Sequence, residues 1–276
     1  MLRFFKILSY MPLWFMHSLG WLLGWLVFLG SATYRRRFLA HVALAGLRRW
    51  QWLPAVGAAG KMVAELPRLW LGRPVPVQWT GEQVLQDALQ AEHGVVFLTP
   101  HLGCFEIAAQ AYAARYGQSG KPMTVLFRVP RKPRLAQWLA AARERPGLQT
   151  APTTLAGVKK LLKVLKQGQC VGLLPDQVPP AAQGVWVPFF GQNAYTMTLS
   201  ARLAIQTGAT VLLAWGERRT WGRGYVVHVQ ALGETLSTEV PVATAQINRA
   251  MERLIRQAPG QYLWGYARYK APRENV

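Results

Sequence analysis

Two side chains in this sequence are spaced for acid–base chemistry. His101 and Glu106 follow the apolar run Gly94-Val95-Val96-Phe97-Leu98-Thr99-Pro100. Val95 to Leu98 show no polar alternation, which predicts a strand covered on both faces, and Pro100 cannot continue a central ladder, so His101 falls at the strand's exit. From Cys104 to Tyr116 the alanine and apolar spacing is helical, placing Glu106 in a first turn where the helix dipole favours negative charge. Within one helix the two residues would stand roughly 140° apart. A histidine in the loop and a carboxylate in the first turn can instead meet across the turn, with His101 as general base and Glu106 orienting it.

Two further strands are expected to end in polar residues. Met123 to Val129 delivers Arg128 and the basic run Pro130-Arg131-Lys132-Pro133-Arg134, and Cys170 to Leu174 stops at Pro175 and delivers Asp176 and Gln177. Strand, helix, strand, helix, strand with exits on one edge predicts an α/β fold with a mainly parallel central sheet flanked by helices on both faces. Thr210 to Trp215 and Gly224 to Ala231 read as a terminal hairpin, making the sheet mixed. Helices are expected over Gln83–Ala91, Leu135–Glu144, Leu155–Lys166, Thr196–Thr207 and Thr244–Gln257. The stretch from Phe38 to Leu71 reads as helical segments broken at Pro54, Gly57 and Pro67, with His41 on the surface, and Val185 to Phe190 reads as a loop or short strand.

The chain has 276 residues, enough for one large core, and its 32 Lys and Arg against 12 Asp and Glu give a formal charge of +20. Such a charge favours an anionic partner, and 12 tryptophans with an apolar N-terminus point to an acidic membrane surface rather than nucleic acid. Ile7 to Tyr34 carries no Asp, Glu, Lys or Arg. A signal peptide competes there, because Gly30-Ser31-Ala32 resembles a cleavage site, but Arg35-Arg36-Arg37 holds that flank in the cytoplasm. The reading is an uncleaved anchor over residues 1–34, spanning the bilayer or lying in one leaflet, and an α/β catalytic domain over residues 35–276. Cys104 and Cys170 form neither a close pair nor a metal spacing, and no metal or cofactor is expected.

Taken in order, these stretches resemble the late acyltransferases of lipid A biosynthesis, the lauroyl and myristoyl transferase family, which is related to the glycerolipid acyltransferases. His101 and Glu106 match that family's His-x4-Asp/Glu dyad, and Phe127-Arg128 its Tyr-Arg step. Arg145 stands at the family's spacing before Pro175-Asp176-Gln177, and Pro188-Phe189-Phe190-Gly191 matches a Pro-Phe-Phe loop. The ending from Ala258-Pro259-Gly260 through Trp264 to Arg268 and Lys270 is the most specific match. The chain departs from the family at Tyr266-Ala267-Arg268, where His-Arg-Arg is usual. It also lacks the Phe-Pro-Glu-Gly of the glycerolipid branch.

The resemblance implies an enzyme of the bacterial inner membrane, facing the cytoplasm, that moves an acyl chain from an acyl carrier protein thioester or acyl-CoA to a hydroxyl of a lipid A precursor. A lysophospholipid or aminolipid acceptor is the alternative. Arg145 and Arg128 are then candidates for the oxyanion or an acceptor phosphate, and Asp176 for orienting Arg145 or the acceptor hydroxyl. Three rival readings are weaker. A Cys104–His101 thioesterase or protease needs a reactive thiol, a serine hydrolase lacks its Gly-x-Ser-x-Gly elbow, and a non-enzymatic binder leaves three polar strand exits unused.

Overall fold

A computed structural model describes residues 2–91, 93–127 and 141–273. Its centre is a seven-stranded sheet built from β1 (Val77–Thr80), β2 (Val95–Leu98), β3 (Met123–Phe127), β4 (Leu148–Pro152), β5 (Cys170–Leu173), β8 (Thr210–Arg218) and β9 (Tyr225–Ala231), in the order β1-β9-β8-β2-β5-β3-β4. All neighbours are parallel except β8 and β9, which form the expected antiparallel hairpin. The sheet is therefore mainly parallel and mixed, as the sequence predicts.

Strand β2 is buried along its whole length, and its two faces feed two cores. Val96 and Leu98 pack with α8 (Leu155–Lys166), α9 (Leu199–Thr207) and α10 (Val240–Gln257). Val95 and Phe97 pack with α5 (Leu66–Leu71), α6 (Glu82–Gln90) and α7 (Phe105–Arg115). An uninterrupted apolar run is what a strand sandwiched between helical layers needs. A separate antiparallel hairpin, β6 (Gly184–Phe189) and β7 (Gln192–Met197), lies against α10, where the Asn248 amide donates to the Pro188 carbonyl at 2.9 Å.

The sequence reading differs from the structure at the sheet margins. Strands β1 and β4 are edge strands with mixed composition, and β7 carries Gln192, Asn193 and Thr196, so none shows the apolar run that marks a buried strand. The helix expected from Thr196 begins at Leu199 because Thr196 and Met197 remain in β7. The helix expected over Leu135–Glu144 falls largely outside the described residues, within which residues 141–143 are helical.

The expected breaks at Pro54 and Gly57 are also absent. Helix α4 (Arg49–Ala64) runs through both, because its small residues are packing surfaces against α2 (Leu13–Gly30). The remaining helices are α1 (Leu2–Tyr10) and α3 (Ala32–Leu44). Among the described residues α2 alone is long and apolar enough to cross a membrane. A Cβ on Gly60 would lie 1.9 Å from the Gly20 carbonyl oxygen, and one on Gly24 would lie 2.2 Å from that of Val56. The two helices thus pack nearly backbone to backbone, and α2 is docked on the body of the chain rather than held off by a linker.

That contact makes a direct prediction. Gly60→Ala forces α2 and α4 apart and should cost about 1–3 kcal/mol, a drop of several degrees in the melting midpoint. Gly30→Ala has no heavy atom within 4 Å of the new methyl and should be neutral or slightly stabilising. Equal melting of the two variants would contradict the packing described.

Candidate active site

The site is assembled where β2 and β5 end. In the parallel register Leu98 pairs with Leu173, and each strand is followed by a residue, a proline and then a polar side chain: Thr99-Pro100-His101 and Leu174-Pro175-Asp176. Equal offsets on neighbouring strands bring the two side chains together. Asp176 accepts from the His101 ring at Nδ1, 2.7 Å from Oδ1, and from the His101 backbone N–H, 2.9 Å from Oδ2. The Gln177 amide nitrogen stands 3.0 Å from His101 Nε2. With Nδ1 as donor to Asp176, Nε2 carries the lone pair, which here accepts from Gln177.

Glu106 does not fill the orienting role expected of it. Its Oε1 accepts from Arg143 Nη2 and Nε at 2.6 and 3.0 Å, and its Oε2 from the Trp70 indole at 3.3 Å. The reason is the helix: Glu106 lies in the first turn of α7 on the side facing Arg143, while β5 presents Asp176 to the ring from the neighbouring strand. Asp176 is 2% exposed. Burial pushes its carboxyl up, but the charge and the two hydrogen bonds of His101 outweigh that and leave it below the usual carboxylate range.

The arginines are also redistributed. Arg128 lies outside the described residues. Arg145 Nη1 donates to Gln110 of α7 at 3.0 Å, with longer contacts at 3.4 Å to the carbonyls of Ala142 and Arg143, so it braces the Arg143 segment against the helix. Arg143 is the functional candidate the sequence reading missed. It lines the cavity beside Glu106 and lies 5.0 Å from the Trp70 ring centre and 5.6 Å from that of Phe127. In sequence it was one more cation in a basic helix end, with nothing to set it apart.

The cavity is about 830 Å3. Its lining combines the polar side chains His101, Glu106, Arg143 and Gln177 with apolar ones that include Phe97, Val125, Ala214 and Val229 of the sheet and Ala108 and Ala109 of α7. A cavity of that size and mixed lining takes a flexible hydrocarbon with a reactive end at the histidine. Among the described residues no three His, Cys, Asp or Glu side chains gather as a metal site.

The loop carrying His101 is fixed on both sides. Leu263 N–H donates to the His101 carbonyl at 3.1 Å, Gly103 N–H to that of Gln261 at 3.0 Å, and Cys104 N–H to that of Gly216 at 2.7 Å. Gly103 has φ 57°, and a Cβ there would lie 2.0 Å from the Gly216 carbonyl oxygen, so only glycine fits. Arg268 anchors the same C-terminal segment by donating to the Tyr195 carbonyl at 2.7 Å. Tyr266, the first residue of the Tyr266-Ala267-Arg268 departure, accepts from Val178 N–H at 3.0 Å, two residues beyond Asp176. His41 belongs to this frame too: its Nδ1 lies 2.7 Å from the Trp264 carbonyl, and burial pushes its pKa down, so it is a packing contact rather than the surface residue expected.

Beneath the loop lies a buried ion pair. Arg218 donates to Glu65 through Nη2 at 2.7 Å and Nε at 2.9 Å, and Nη2 also reaches the Gly103 carbonyl at 2.6 Å. Tyr225 donates to Glu65 at 2.9 Å, and His17 of α2 lies 3.1 Å from it. Cys104 is buried beside this cluster, and burial first, then Glu65, pushes its thiol well up. It has the wrong environment for a nucleophile.

Glu65 supplies a pH prediction. Burial alone would raise its carboxyl, but Arg218 and His17 bring it down from 4.5 to about 2. A depressed carboxylate stabilises the fold above its unfolded value, and that contribution is lost as pH falls from about 4.5 towards 2. Glu65→Gln should cost about 3 kcal/mol or more at neutral pH, because Arg218 is left buried without its partner, and should flatten the fall of melting midpoint in that acid range. An unchanged slope would contradict the pair.

The sequence profile described as bacterial lipid A biosynthesis acyltransferase matches residues 60–271, a stretch containing His101, Glu106, Arg143, Arg145, Asp176 and Gln177. The lipid A biosynthesis lauroyltransferase of Escherichia coli (strain K12) is 25% identical over 222 residues, 79% of this chain and 70% of that one. The palmitoleoyltransferase of the same strain is 26% identical over 187 residues, 67% of this chain and 59% of its own length. The myristoyltransferase is 23% identical over 190 residues, 68% and 57% of the two chains. With the profile covering well over half of its length, this chain belongs to the bacterial lipid A biosynthesis acyltransferase family.

Proposed function

We propose that this chain is a membrane-bound O-acyltransferase that moves a fatty acyl group from a thioester to a hydroxyl of a lipid A precursor, with His101 as general base. The observation that carries the reading is the His101–Asp176 pair, whose histidine lines a largely apolar cavity of about 830 Å3. Asp176 holds the ring with its proton on Nδ1. The acceptor hydroxyl takes the place of the Gln177 amide at Nε2, gives its proton to that nitrogen as its oxygen attacks the thioester carbon, and the imidazolium formed is stabilised by Asp176. The tetrahedral intermediate then collapses, the C–S bond breaks, and the thiolate recovers the proton from His101.

Arg143, held by Glu106, is the cation positioned in the cavity lining for the oxyanion or for an acceptor phosphate. Glu106 therefore serves the reaction through Arg143. Arg145 keeps that segment against α7, and Arg128 remains a candidate from the family pattern alone. The acyl chain lies against the apolar lining between the sheet and α7.

The donor proposed is an acyl carrier protein thioester. Such carriers are acidic, and a chain of formal charge +20 steers them in. The acceptor follows from the family and from the names of its relatives. The proposed place is the inner membrane facing the cytoplasm, with α2 and the basic residues around it meeting anionic lipid.

The test is transfer by the purified full-length protein in parallel to a lipid A precursor, lysophosphatidate and a lyso-aminolipid, with mass spectrometry of cell lipids with and without the gene. The expected result is one secondary acyl chain lost from lipid A without the gene and no reaction on lysophosphatidate. Unchanged lipid A with a missing diacyl lipid would overturn the acceptor. His101→Ala and Asp176→Asn should each lower kcat by about 100-fold or more, with the double variant little worse than the stronger single one, while Cys104→Ala should leave kcat nearly unchanged. For a carrier-protein donor kcat/KM should fall steeply with salt, and for a coenzyme A donor less so.

A further inference from the structure

The tip of the β8–β9 hairpin carries a tryptophan that no packing explains. Trp221 is 86% exposed and stands at φ 59°, a left-handed conformation that costs a bulky residue free energy. A Cβ on Gly222 would lie 2.3 Å from the Trp14 backbone nitrogen, so the tip is pressed against the first turn of α2. Arg219 and Arg223 flank the indole, and Arg223 Nη2 holds the turn by donating to Thr220 Oγ1 at 2.8 Å.

The outward side of α2 continues this surface. Trp14, Leu22, Leu26 and Leu29 are each at least half exposed, and Ser18, the exposed polar residue between Trp14 and Leu22, turns its hydroxyl back to the Trp14 carbonyl at 2.9 Å. The body of the chain follows the helix from end to end: the hairpin tip at Trp14, Glu65 at His17, α4 at Gly20 and Gly24, and Phe38 at Phe28, 5.3 Å between ring centres. Eighteen helical residues extend about 27 Å, close to the hydrocarbon thickness of about 30 Å. A crossing α2 would therefore carry the hairpin tip, with its arginines, to the far side of the bilayer and the Glu65–Arg218 pair into the hydrocarbon. Exposed basic residues also stand at both ends of the helix, Lys6 and Arg223 at one and Arg36, Arg48 and Arg49 at the other. A crossing helix needs its positive flank on one side, whereas a helix in the membrane plane meets anionic headgroups at both ends.

We propose that the hairpin tip at Trp221 and the outward face of α2 seat together in one leaflet of an anionic bilayer, with α2 lying in the membrane plane. This rests on the reading of α2 as a membrane element and adds to it a second contact and an orientation. Strand β8 ends beside that tip at Arg218, which holds the Gly103 carbonyl, so the seat also fixes the His101 loop relative to the lipid.

The experiment uses the full-length protein on vesicles of phosphatidylglycerol and phosphatidylethanolamine. A fluorophore is attached at Trp221→Cys or, separately, at Leu22→Cys in the middle of α2, and quenched by lipids spin-labelled near the headgroup or near the chain end. Both positions should be quenched best by the shallow label. Quenching at Leu22 with none at Trp221 would overturn the tip contact and leave the membrane reading standing. Deepest quenching of the Leu22 position by the chain-end label would mean a crossing helix and overturn the orientation. No quenching at either position would overturn the membrane reading and this proposal together. Replacing Arg219 and Arg223 with Gln should lower vesicle affinity about tenfold and weaken its salt dependence; an unchanged affinity would remove the tip from the contact.

Discussion

The parallel register of β2 on β5 is the constraint on which the site depends. Leu98 opposite Leu173, with the same three-residue offset beyond each, fixes where His101 and Asp176 must be. The prolines at the second position of each exit end the ladder at the same level, so neither strand can slide past the other without separating the pair. A one-residue slip would also turn Val96 and Leu98 from one core to the other, so the packing of two helical layers guards the register of the catalytic loop.

A second level of support comes from parts of the chain far from the histidine. The segment around Gln261 to Leu263 lies along the loop almost as an added strand, and Arg268 pins it to the β6–β7 hairpin. On the other side Arg218 reaches the Gly103 carbonyl while paired with Glu65, and through Glu65 it is joined to α2. A buried ion pair contributes little to net stability compared with apolar packing, but breaking it is costly, which suits a contact that has to hold four elements in one arrangement. The C-terminal residues that carry the strongest family likeness are thus explained by what they touch.

Much of the fold was legible because buried parallel strands declare themselves: the β2 limits coincide with the apolar run, and β3, β5, β8 and β9 were found within a few residues. Edge strands β1 and β4 and polar β7 were missed, since they mix polar and small residues with the buried ones and carry no such run. The histidine was legible, and so was Asp176 as a polar strand exit. Their pairing was not, because it depends on which strands are neighbours, and the short spacing from His101 to Glu106 drew attention away from it. The twin pattern of Pro100-His101 and Pro175-Asp176 was the signal in the sequence. Arg143 had none, and its place became visible only when α7 and the cavity wall were in position.

The central claim is that Asp176, and not Glu106, sets the His101 ring with its proton on Nδ1 and its lone pair on Nε2. Nitrogen chemical shifts of the imidazoles in histidine-labelled full-length protein report that tautomer directly, with His101→Ala identifying the resonance. The account predicts the Nδ1–H form in the parent protein and in Glu106→Gln, and its loss in Asp176→Asn. A tautomer that survives Asp176→Asn and is lost in Glu106→Gln would contradict it.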